Sequence, residues 1–400
     1  MQLSHEHQSL YDTTKKFVEE QLNPHAAEWE RDGIFPAREV FKKMGELGLL
    51  GINKPESVGG LGLDYSYQLM FAEALGHCKV GAIPMAIGVQ TDMATPALSR
   101  FGSDYLKEQF LKPAVAGDLV ACIAVSEPGA GSDVAGIKTT ARREGGDYVI
   151  NGQKMWITNG TQGDWACMLC NTGDAPGGGR HGPGTTSNSK ALGHGNKSLI
   201  VVPLDAKGID RKTKLDKLGQ RSSDTAIIFL DNVRVPAKNL IGDEGKGFVY
   251  QMQQFQEERL FLSASIVQTL DICVDETAAY TRQRNAFGQS ILDNQYVQFR
   301  LSELKTEIEA LRALIYRATE NMLAGQDVSL LASMAKLKAG RLGREVPDAC
   351  LQFWGGQGFM WDNYVSQMYR DLRLHAIGGG ADEVMLGIIS KRLGYGGKKK

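Results

Sequence analysis

Two short segments combine glycines with side chains that could hold an anionic or planar ligand. EPGAGSDVAG, residues 127–136, places Ser132 among glycines whose free amides could closely approach an anion or a carbonyl group. NGQKMWITNG, residues 151–160, places Trp156 near the hydroxyl of Thr158, and such an aromatic plane suits a flat heterocycle. Both have a simpler interpretation, because glycine clusters commonly form surface turns and a tryptophan is commonly a core residue. Neither segment is decisive alone.

Two further segments near the C-terminus have the same ambiguity. RQRNAFGQSILDNQ groups three such residues around a glycine, Arg284, Phe287 and Gln295. LQFWGGQGF sets a polar residue before two glycines, Gln352 before Gly355 and Gly356. The first segment also suits a plain corner between helices, and the second suits a helix end.

A run of three glycines, residues 378–380, lies in the segment HAIGGGADEV. Bare backbone of this kind could cradle a phosphate, form a slack linker, or leave room for a large group to lie against the chain. Composition alone leaves all three open.

Two adjacent glutamates in FQEERLFL are candidates for acid–base chemistry. On a helix, residues three and four positions away share a face. Glu258 then has apolar neighbours apart from Gln254, namely Phe255, Phe261 and Leu262. Glu257 has a more polar setting, so Glu258 is the better candidate for a carboxylate whose pKa rises toward the roughly 6 to 7 that suits a general base. The simpler interpretation is that both glutamates are solvated on the helix surface.

Three regions of different texture must position these residues. The first is helical in its apolar spacing, the second consists of short runs rich in valine, isoleucine and threonine, and the third returns to long helical periods. We place them at residues 1–118, 119–238 and 239–400. Inside the second region, residues 173–195 are poor in apolar side chains and predict a flexible loop between two strands.

Bulk composition excludes several classes of protein. The 400 residues carry 45 Lys and Arg against 46 Asp and Glu, so there is no basic footprint for nucleic acid. No apolar run approaches the roughly 20 residues of a membrane span, and the polar start is unlike a signal peptide. The six cysteines are scattered, and the one C-x-x-C pair, Cys167 and Cys170, lies in a segment typical of a buried strand rather than of a metal or redox site.

The order and spacing of these segments, together with FLDNVRVPAKNLIGDEGKGF and MYRDLRLHAIGGGADEVMLGIISKRLG, resemble the acyl-CoA dehydrogenase family over nearly the whole chain. The resemblance implies an α+β fold that is mostly α, with an N-terminal helical domain, a middle β-barrel-like domain and a C-terminal four-helix bundle. It also implies FAD as cofactor and a homotetramer. No metal is implied.

The resemblance assigns residues by position. Expected contacts of the flavin and pyrophosphate are Ile123, Val125, Ser126, Gly131, Ser132, Trp156 and Thr158. Expected contacts of the adenine end of FAD, commonly that of a neighbouring subunit, are Arg284, Phe287, Gln295, Gln352, Gly355 and Gly356. Two more FAD positions fall at Ala381, which lacks the usual hydroxyl, and Glu383. Expected contacts of the acyl-CoA substrate are Ser132, Gln256, Arg259, Gly378 and Gly380.

The usual catalytic base of the family is missing. Many members carry it in a Tyr-Glu-Gly-Thr stretch, and the matching positions here are Gly378, Gly379, Gly380 and Ala381. In a subset that includes isovaleryl-CoA, long-chain and citronellyl-CoA dehydrogenases, the glutamate instead precedes an arginine on a long helix. That position is Glu258, while the Gly379 amide would still donate to the thioester oxygen. We therefore expect Glu258 and Gly379 to be catalytic.

The expected activity is α,β-dehydrogenation of a branched or long acyl-CoA to the trans-2-enoyl-CoA, with electron-transferring flavoprotein as acceptor. The glycines are expected to open space beside the substrate Cβ for a branch or a bulky chain. Two alternatives remain: an acyl-CoA oxidase, and a catalytically silent member that binds flavin or CoA as an interaction protein. The expected location is a bacterial cytoplasm or a mitochondrial matrix.

Overall fold

The computed structural model describes residues 1–173 and 195–395, and it confirms the expected order of helices, sheet and helices. The predicted loop at residues 173–195 lies, except for its two end residues, outside the described part of the chain. None of the described helices is both long and apolar enough to cross a membrane.

The first region consists of helices that pack around an apolar centre. They are α1 (His5–Phe17), α2 (Ala26–Asp32), α3 (Ala37–Glu46), α4 (Tyr65–Leu75), α5 (Ala82–Gly88), α6 (Pro96–Phe101), α7 (Asp104–Leu106) and α8 (Lys112–Val115). Helix α4 begins at an aspartate cap, because the Asp64 side chain accepts a hydrogen bond from the Ser66 amide at 2.8 Å. Helix α5 continues into a wider π-helical segment, Val89–Ala94, which we call the π segment. Every residue of the π segment is buried.

The second region is a twisted sheet. Its strands are β1 (Ala121–Ala124), β2 (Thr140–Glu144), β3 (Asp147–Thr158), β4 (Trp165–Asn171), β5 (Lys197–Pro203), β6 (Ile209–Asp210), β7 (Thr225–Pro236) and β8 (Leu240–Ile241). Among the described residues the order is β6-β7-β3-β2-β4-β5-β8, with β1 parallel to β4. The pairing of β3 with β7 shifts register between Lys154 and Ile157, which marks a β-bulge at that point.

The sheet extends slightly beyond the boundary expected at residue 238, because β8 pairs with β5 after it. The exact bounds of the three regions stay predictions. Both cysteines of the C-x-x-C pair are buried in β4 and pack into different apolar clusters, as alternation along a strand requires. Burial raises the pKa of the Cys167 and Cys170 thiols to about 12.

The third region is dominated by four long helices. The elements are α9 (Gly247–Ala264), α10 (Val267–Gln283), the short hairpin β9 (Asn285–Ala286) and β10 (Gln289–Ser290), α11 (Gln295–Leu323), α12 (Ser329–Trp354), α13 (Tyr364–Leu372) and α14 (Asp382–Arg392). Helix α12 is central, since it packs against α9, α10, α11, α13 and α14. Helix α9 also contacts the π segment and strand β5, and so joins all three regions.

Two buried carboxylates, one from the first region and one from the third, bind backbone amides of the first and second regions at one junction. The Asp371 carboxylate accepts hydrogen bonds from the amides of Gly81 and Gln220. Glu30 accepts from the amides of residues 221 and 222 at 2.9 Å each. The Gln367 side-chain amide donates to both carboxylates, at 3.2 Å to Glu30 and 2.9 Å to Asp371. Burial raises the pKa of Asp371 to about 6.

Candidate functional site

Glu258 lies on α9 with 7% of its surface exposed. Its helical neighbours Phe261 and Leu262 are buried as expected. The polar exception, Gln254, accepts a hydrogen bond from the Ala97 amide at 2.8 Å. Burial raises the pKa of Glu258 to about 7, while the charges of Arg259 and Lys336 lower it and that of Asp92 raises it. A buried carboxyl group that titrates near neutral pH can act as a general base.

Glu257 is engaged elsewhere. Its carboxylate forms an ion pair with Arg100, and its backbone carbonyl accepts the Tyr65 hydroxyl at 3.0 Å. Of these two adjacent glutamates, Glu258 is thus the one without an ion-pair partner among the described residues.

The glycine run at residues 378–380 lies close to the Glu258 side chain. We call residues 375–381 the glycine turn, which begins within a 3-10 turn at Arg373–Ala376 and leads into α14. Gly379 and Gly380 have φ of +64° and +106°, values that L side chains rarely adopt. A Cβ atom built on Gly379 would overlap Cδ1 of Leu262 and lie 3.3 Å from Oε1 of Glu258. Both backbone conformation and space therefore require glycine at 379.

The space beside Gly379 is not open, which corrects the expectation that the glycines leave room for a branched substrate. Leu262 and Glu258 fill it, and a Cβ on Gly380 would lie 2.5 Å from Cε of Met385. At Gly379 and Gly380 the missing Cβ atoms make room for side chains of this protein.

Lys336 is a component of this site that sequence reasoning missed. It lies on α12, fully buried, and its Nζ donates to the carbonyls of His375 at 2.5 Å and Gly380 at 3.1 Å. Burial lowers the pKa of Lys336 to about 8, while the charges of Asp382 and Glu258 raise it. A lysine among the alanines of SMAKLKAG was the available sequence signal, because a cation on an apolar helix face needs partners.

Arg259 adds a second buried cation. It is 8% exposed, its Nη1 lies 3.5 Å from the Ser333 hydroxyl, and its Nε has no partner among the described residues. Burial lowers the pKa of its guanidinium. Gln256, on the same helix, is half-buried.

A buried polar network, also missed by sequence reasoning, borders the site on the π segment. The Asp92 carboxylate accepts from the side chains of Gln68 at 2.7 Å and Thr91 at 2.6 Å. Lys54 donates to the Thr91 carbonyl at 2.9 Å. Burial raises the pKa of Asp92 to about 6, and its Oδ1 has no partner among the described residues.

We call the residues expected near the flavin the Trp156 wall. The wall comprises Ile123, Val125, Ser126, Gly131, Trp156 and Thr158. Trp156 lies at the β3 bulge with φ +61° and 51% exposure, and the Ser126 carbonyl accepts the neighbouring Met155 amide at 3.0 Å. Gly131 comes so near the indole that a Cβ there would lie 4.0 Å from it. Ser132 is exposed on the same turn.

A buried ion pair anchors the turn of this wall. Lys154 is fully buried and donates to the Glu127 carboxylate at 2.9 Å, the Val125 carbonyl at 3.0 Å and the Leu169 carbonyl at 2.8 Å. Glu127 also accepts the backbone amides of residues 138–139. Attraction to Lys154 and these hydrogen bonds outweigh burial and lower the pKa of Glu127.

The wall and the Glu258 helix share a support. Asn159, just after β3, donates to the Ala86 carbonyl of α5 at 3.0 Å and to the Ala121 carbonyl of β1 at 3.2 Å. Two residues later on α5, a Cβ on Gly88 would overlap the Phe261 ring of α9. Helix α5 therefore contacts both the residue that follows strand β3, the strand of Trp156, and the helix that carries Glu258.

A second group of expected FAD residues lies apart from this cluster. All are exposed: Arg284, Phe287, Gln295, Gln352, Gly355 and Gly356. Gln352 follows Lys336 by 16 positions on the same helix, which is about 24 Å along its axis. Within one chain, Gln352 and Glu258 cannot touch the same end of a ligand. At the glycine turn, Ala381 is half-buried and Glu383 is exposed at the start of α14.

Comparisons with known proteins cover nearly the whole chain. The sequence matches three family descriptions: acyl-CoA dehydrogenase N-terminal domain at residues 4–118, middle domain at 122–233 and C-terminal domain at 245–394. A long-chain specific acyl-CoA dehydrogenase, mitochondrial, from Sus scrofa is 36% identical over 98% of this chain and 87% of its own length. A probable acyl-CoA dehydrogenase of Bacillus subtilis is 33% identical over 98% of this chain and 99% of its own. The crystal structure of an acyl-CoA dehydrogenase from Geobacillus kaustophilus matches with a TM-score of 0.90 at 36% identity, covering 98% of both chains.

Proposed function

Because the chain belongs to the acyl-CoA dehydrogenase family of FAD-dependent oxidoreductases, we propose that it converts a branched or long acyl-CoA to the trans-2-enoyl-CoA with Glu258 as its base. The observation that carries the proposal is the setting of Glu258. It is buried, burial raises its pKa to about 7, and it has no ion-pair partner among the described residues.

The Trp156 wall fits FAD. A half-exposed indole and the turn at residues 129–131, which has little side-chain cover, offer a plane and free backbone amides, the groups that a flavin and a pyrophosphate need. In this proposal Ile123, Val125 and Ser126 flank that plane. When bound, FAD supplies the acceptor for the hydride that leaves the substrate Cβ.

The chain's own residues supply the other half of the reaction. The Glu258 carboxylate takes the proton from the substrate Cα, and the Gly379 amide donates a hydrogen bond to the thioester oxygen, where negative charge develops. The Glu258 side chain lies close to Gly379, which has Gly378 and Gly380 on either side in the glycine turn. Water is excluded on the protein side by Leu262 and Phe261, which are buried.

Binding of the CoA portion is proposed for three residues of decreasing exposure, Ser132, Gln256 and Arg259. Arg259 supports this assignment because its Nε lacks a partner among the described residues and a buried guanidinium favours an anionic or carbonyl group. It also supplies a local cation in a chain of nearly zero net charge.

The exposed group around Arg284 and Gln352 is proposed to bind the adenine end of FAD held by a neighbouring subunit. The separation along α12 between Gln352 and Lys336, which lies near Glu258, supports this, as does the full exposure of the Phe287 ring in a single chain. Ala381 and Glu383 are proposed FAD contacts near the active site. A homotetramer, located in a bacterial cytoplasm or mitochondrial matrix, completes the proposal.

The substrate class rests on the position of the base and not on open space. A base on α9 is the arrangement of the subset that handles branched and long chains. The filled surroundings of Gly379 give no support for a methyl branch at that point. The test must therefore compare branched and long thioesters directly.

The deciding experiment is anaerobic bleaching of the flavin absorbance by a panel of acyl-CoAs that are straight and short, straight and long, or branched. We expect the branched or long members to bleach it fastest. Fastest bleaching by straight short chains would reject the substrate class. Binding without any bleaching would reject the activity in favour of a silent binding protein. Reoxidation by electron-transferring flavoprotein rather than by oxygen, with little peroxide, separates a dehydrogenase from an oxidase.

A further inference from the structure

Lys336 has an unusual position for a lysine. Its whole side chain is buried on α12 beside Ala332, Ala335 and Ala339, away from solvent. Desolvating an ammonium group is costly unless its protons are hydrogen-bonded. Its two acceptors are backbone carbonyls, one three residues before the glycine run and one at the last glycine of the run.

These two acceptors, the carbonyls of His375 and Gly380, lie toward opposite ends of the glycine turn. Gly379 is between them in sequence, and a Cβ on Gly379 would lie 3.4 Å from Cε of Lys336. Lys336 therefore links both ends of the glycine turn to α12 through these two hydrogen bonds. Glycines at 378–380 have no side chains with which to fix the turn, so this tie restricts the turn in addition to the hydrogen bond from the Gly378 amide to the Leu374 carbonyl.

The same ammonium group faces carboxylates from two other elements. Glu258 of α9 and Asp382 at the start of α14 both raise the pKa of Lys336. Asp382 is already paired with Arg344 at 2.8 Å, whereas Glu258 has no ion pair among the described residues. The remaining charged neighbours of Glu258 are Arg259 and Asp92.

His375 also lies against Lys336 through its carbonyl. Burial, together with the charge of Lys336, lowers the pKa of the His375 ring to about 3, so the ring is neutral at physiological pH. Burial raises the pKa of Glu258, the charges of Arg259 and Lys336 lower it, and the charge of Asp92 raises it.

We propose that Lys336 is a positioning residue for the reaction: it clamps both ends of the glycine turn so that the Gly379 amide stays beside Glu258, and it holds a cation close to that carboxylate. This inference rests on the proposed function. It adds a residue that touches neither the reacting carbons nor the hydride acceptor.

The test compares three variants of the FAD-loaded enzyme with the wild type. Lys336→Met removes the charge and the donors in a side chain of similar length. Lys336→Gln removes the charge but keeps a donor. Lys338→Met is the matched control, because Lys338 lies two residues along the same helix and pairs with Glu307 away from the glycine turn. The rate of anaerobic flavin bleaching by the best acyl-CoA is measured across pH.

For Lys336→Met we expect two changes. Loss of the ammonium removes a charge that lowers the pKa of Glu258, so the midpoint of the rising limb moves to higher pH by about one unit, a roughly tenfold loss of rate at a fixed pH below it. Loss of the clamp lowers the limiting rate roughly 10- to 100-fold, because the oxyanion donor is no longer held in place. Lys336→Gln should show the same midpoint shift with a smaller loss of limiting rate.

The proposal is overturned if both Lys336 variants have the same pH midpoint of the bleaching rate as Lys338→Met, whatever happens to the limiting rate. If Lys336→Met fails to retain FAD, the midpoint for Lys336→Gln decides by the same criterion. Failure of the proposed function is distinct, since then the wild type itself is not bleached by any acyl-CoA.

Discussion

A Cβ atom on Gly379 would lie 3.3 Å from Oε1 of Glu258, so the two positions share one space. Only one of them can carry a large side chain, because Leu262 fills what the Glu258 carboxylate leaves free. Absence of the common base at 379 and presence of a buried glutamate at 258 are therefore two aspects of one packing arrangement.

Replacing Glu258 by glutamine should abolish bleaching while leaving ligand binding intact. Glutamine has nearly the same shape but cannot take the α-proton, and loss of a general base costs roughly 10²- to 10⁴-fold in rate. The control is Glu257→Gln, which breaks only the ion pair with Arg100 and should bleach close to the wild-type rate. Equal losses in the two variants would contradict the assignment of Glu258. Stopped-flow absorbance gives the rates, and the spectral shift on mixing reports binding.

The bleaching rate should rise with pH up to about pH 7. The carboxyl group is active as a base only when ionised, and burial raises the pKa of Glu258 to about 7. Below that value each pH unit removes about nine-tenths of the ionised form, so the rate should fall about tenfold per unit. A rate that is flat between about pH 5 and pH 7 would mean that an ordinary solvated carboxylate is the base. Flavin content is checked at each pH.

Gly379→Ala should be far more damaging than Gly378→Ala. At Gly379 the φ of +64° disfavours any side chain and the new methyl group would overlap Leu262, so we expect a loss of about 1–3 kcal/mol of stability. At Gly378 the methyl group would meet Leu374 at an ordinary 3.4 Å. Thermal unfolding of the two FAD-loaded variants measures the difference. Adding Leu262→Ala should recover part of the loss in Gly379→Ala, and no recovery would locate the strain elsewhere.

Lys154→Met should destabilise the Trp156 wall. It leaves the Glu127 carboxylate buried without its cation, a change that typically costs about 3–5 kcal/mol. We expect a lower urea midpoint and loss of FAD on gel filtration. Lys138→Met is the matched control, because only the backbone of Lys138 binds Glu127 and its side chain is exposed. The pair Glu127→Gln with Lys154→Met should recover stability relative to Lys154→Met alone; if it does not, the ion pair is not the cause.

The region order and the candidate base could be predicted because local sequence carries them. Helical spacing by itself puts Phe261 and Leu262 on the same face as Glu258, and both are buried there. Valine-rich and isoleucine-rich runs between turn signals predicted the sheet for a similar reason. The three-region order and the family resemblance are both confirmed.

What sequence reasoning missed depends on contacts between distant segments. Lys336 meets carbonyls 39 and 44 positions away, and Lys154 meets Glu127 across 27 positions. A buried lysine has the same letter as a solvated one, so only the apolar helix around Lys336 hinted at its burial. The packing at Gly379 was misjudged likewise, since an absent side chain does not reveal which neighbour, here Leu262, takes its place.

The junction of Glu30, Gln367 and Asp371 limits how this chain can be divided. Carboxylates of other regions accept hydrogen bonds from the amide of Gly81 in the first region and from those of residues 220–222 in the second. A separately expressed sheet fragment would leave its amides at 220–222 without their anions, and a chimera that exchanged the helical regions would have to carry Glu30 and Asp371 along. The three regions are not interchangeable modules, and recombination between relatives at their boundaries would be tolerated only where both acids are retained.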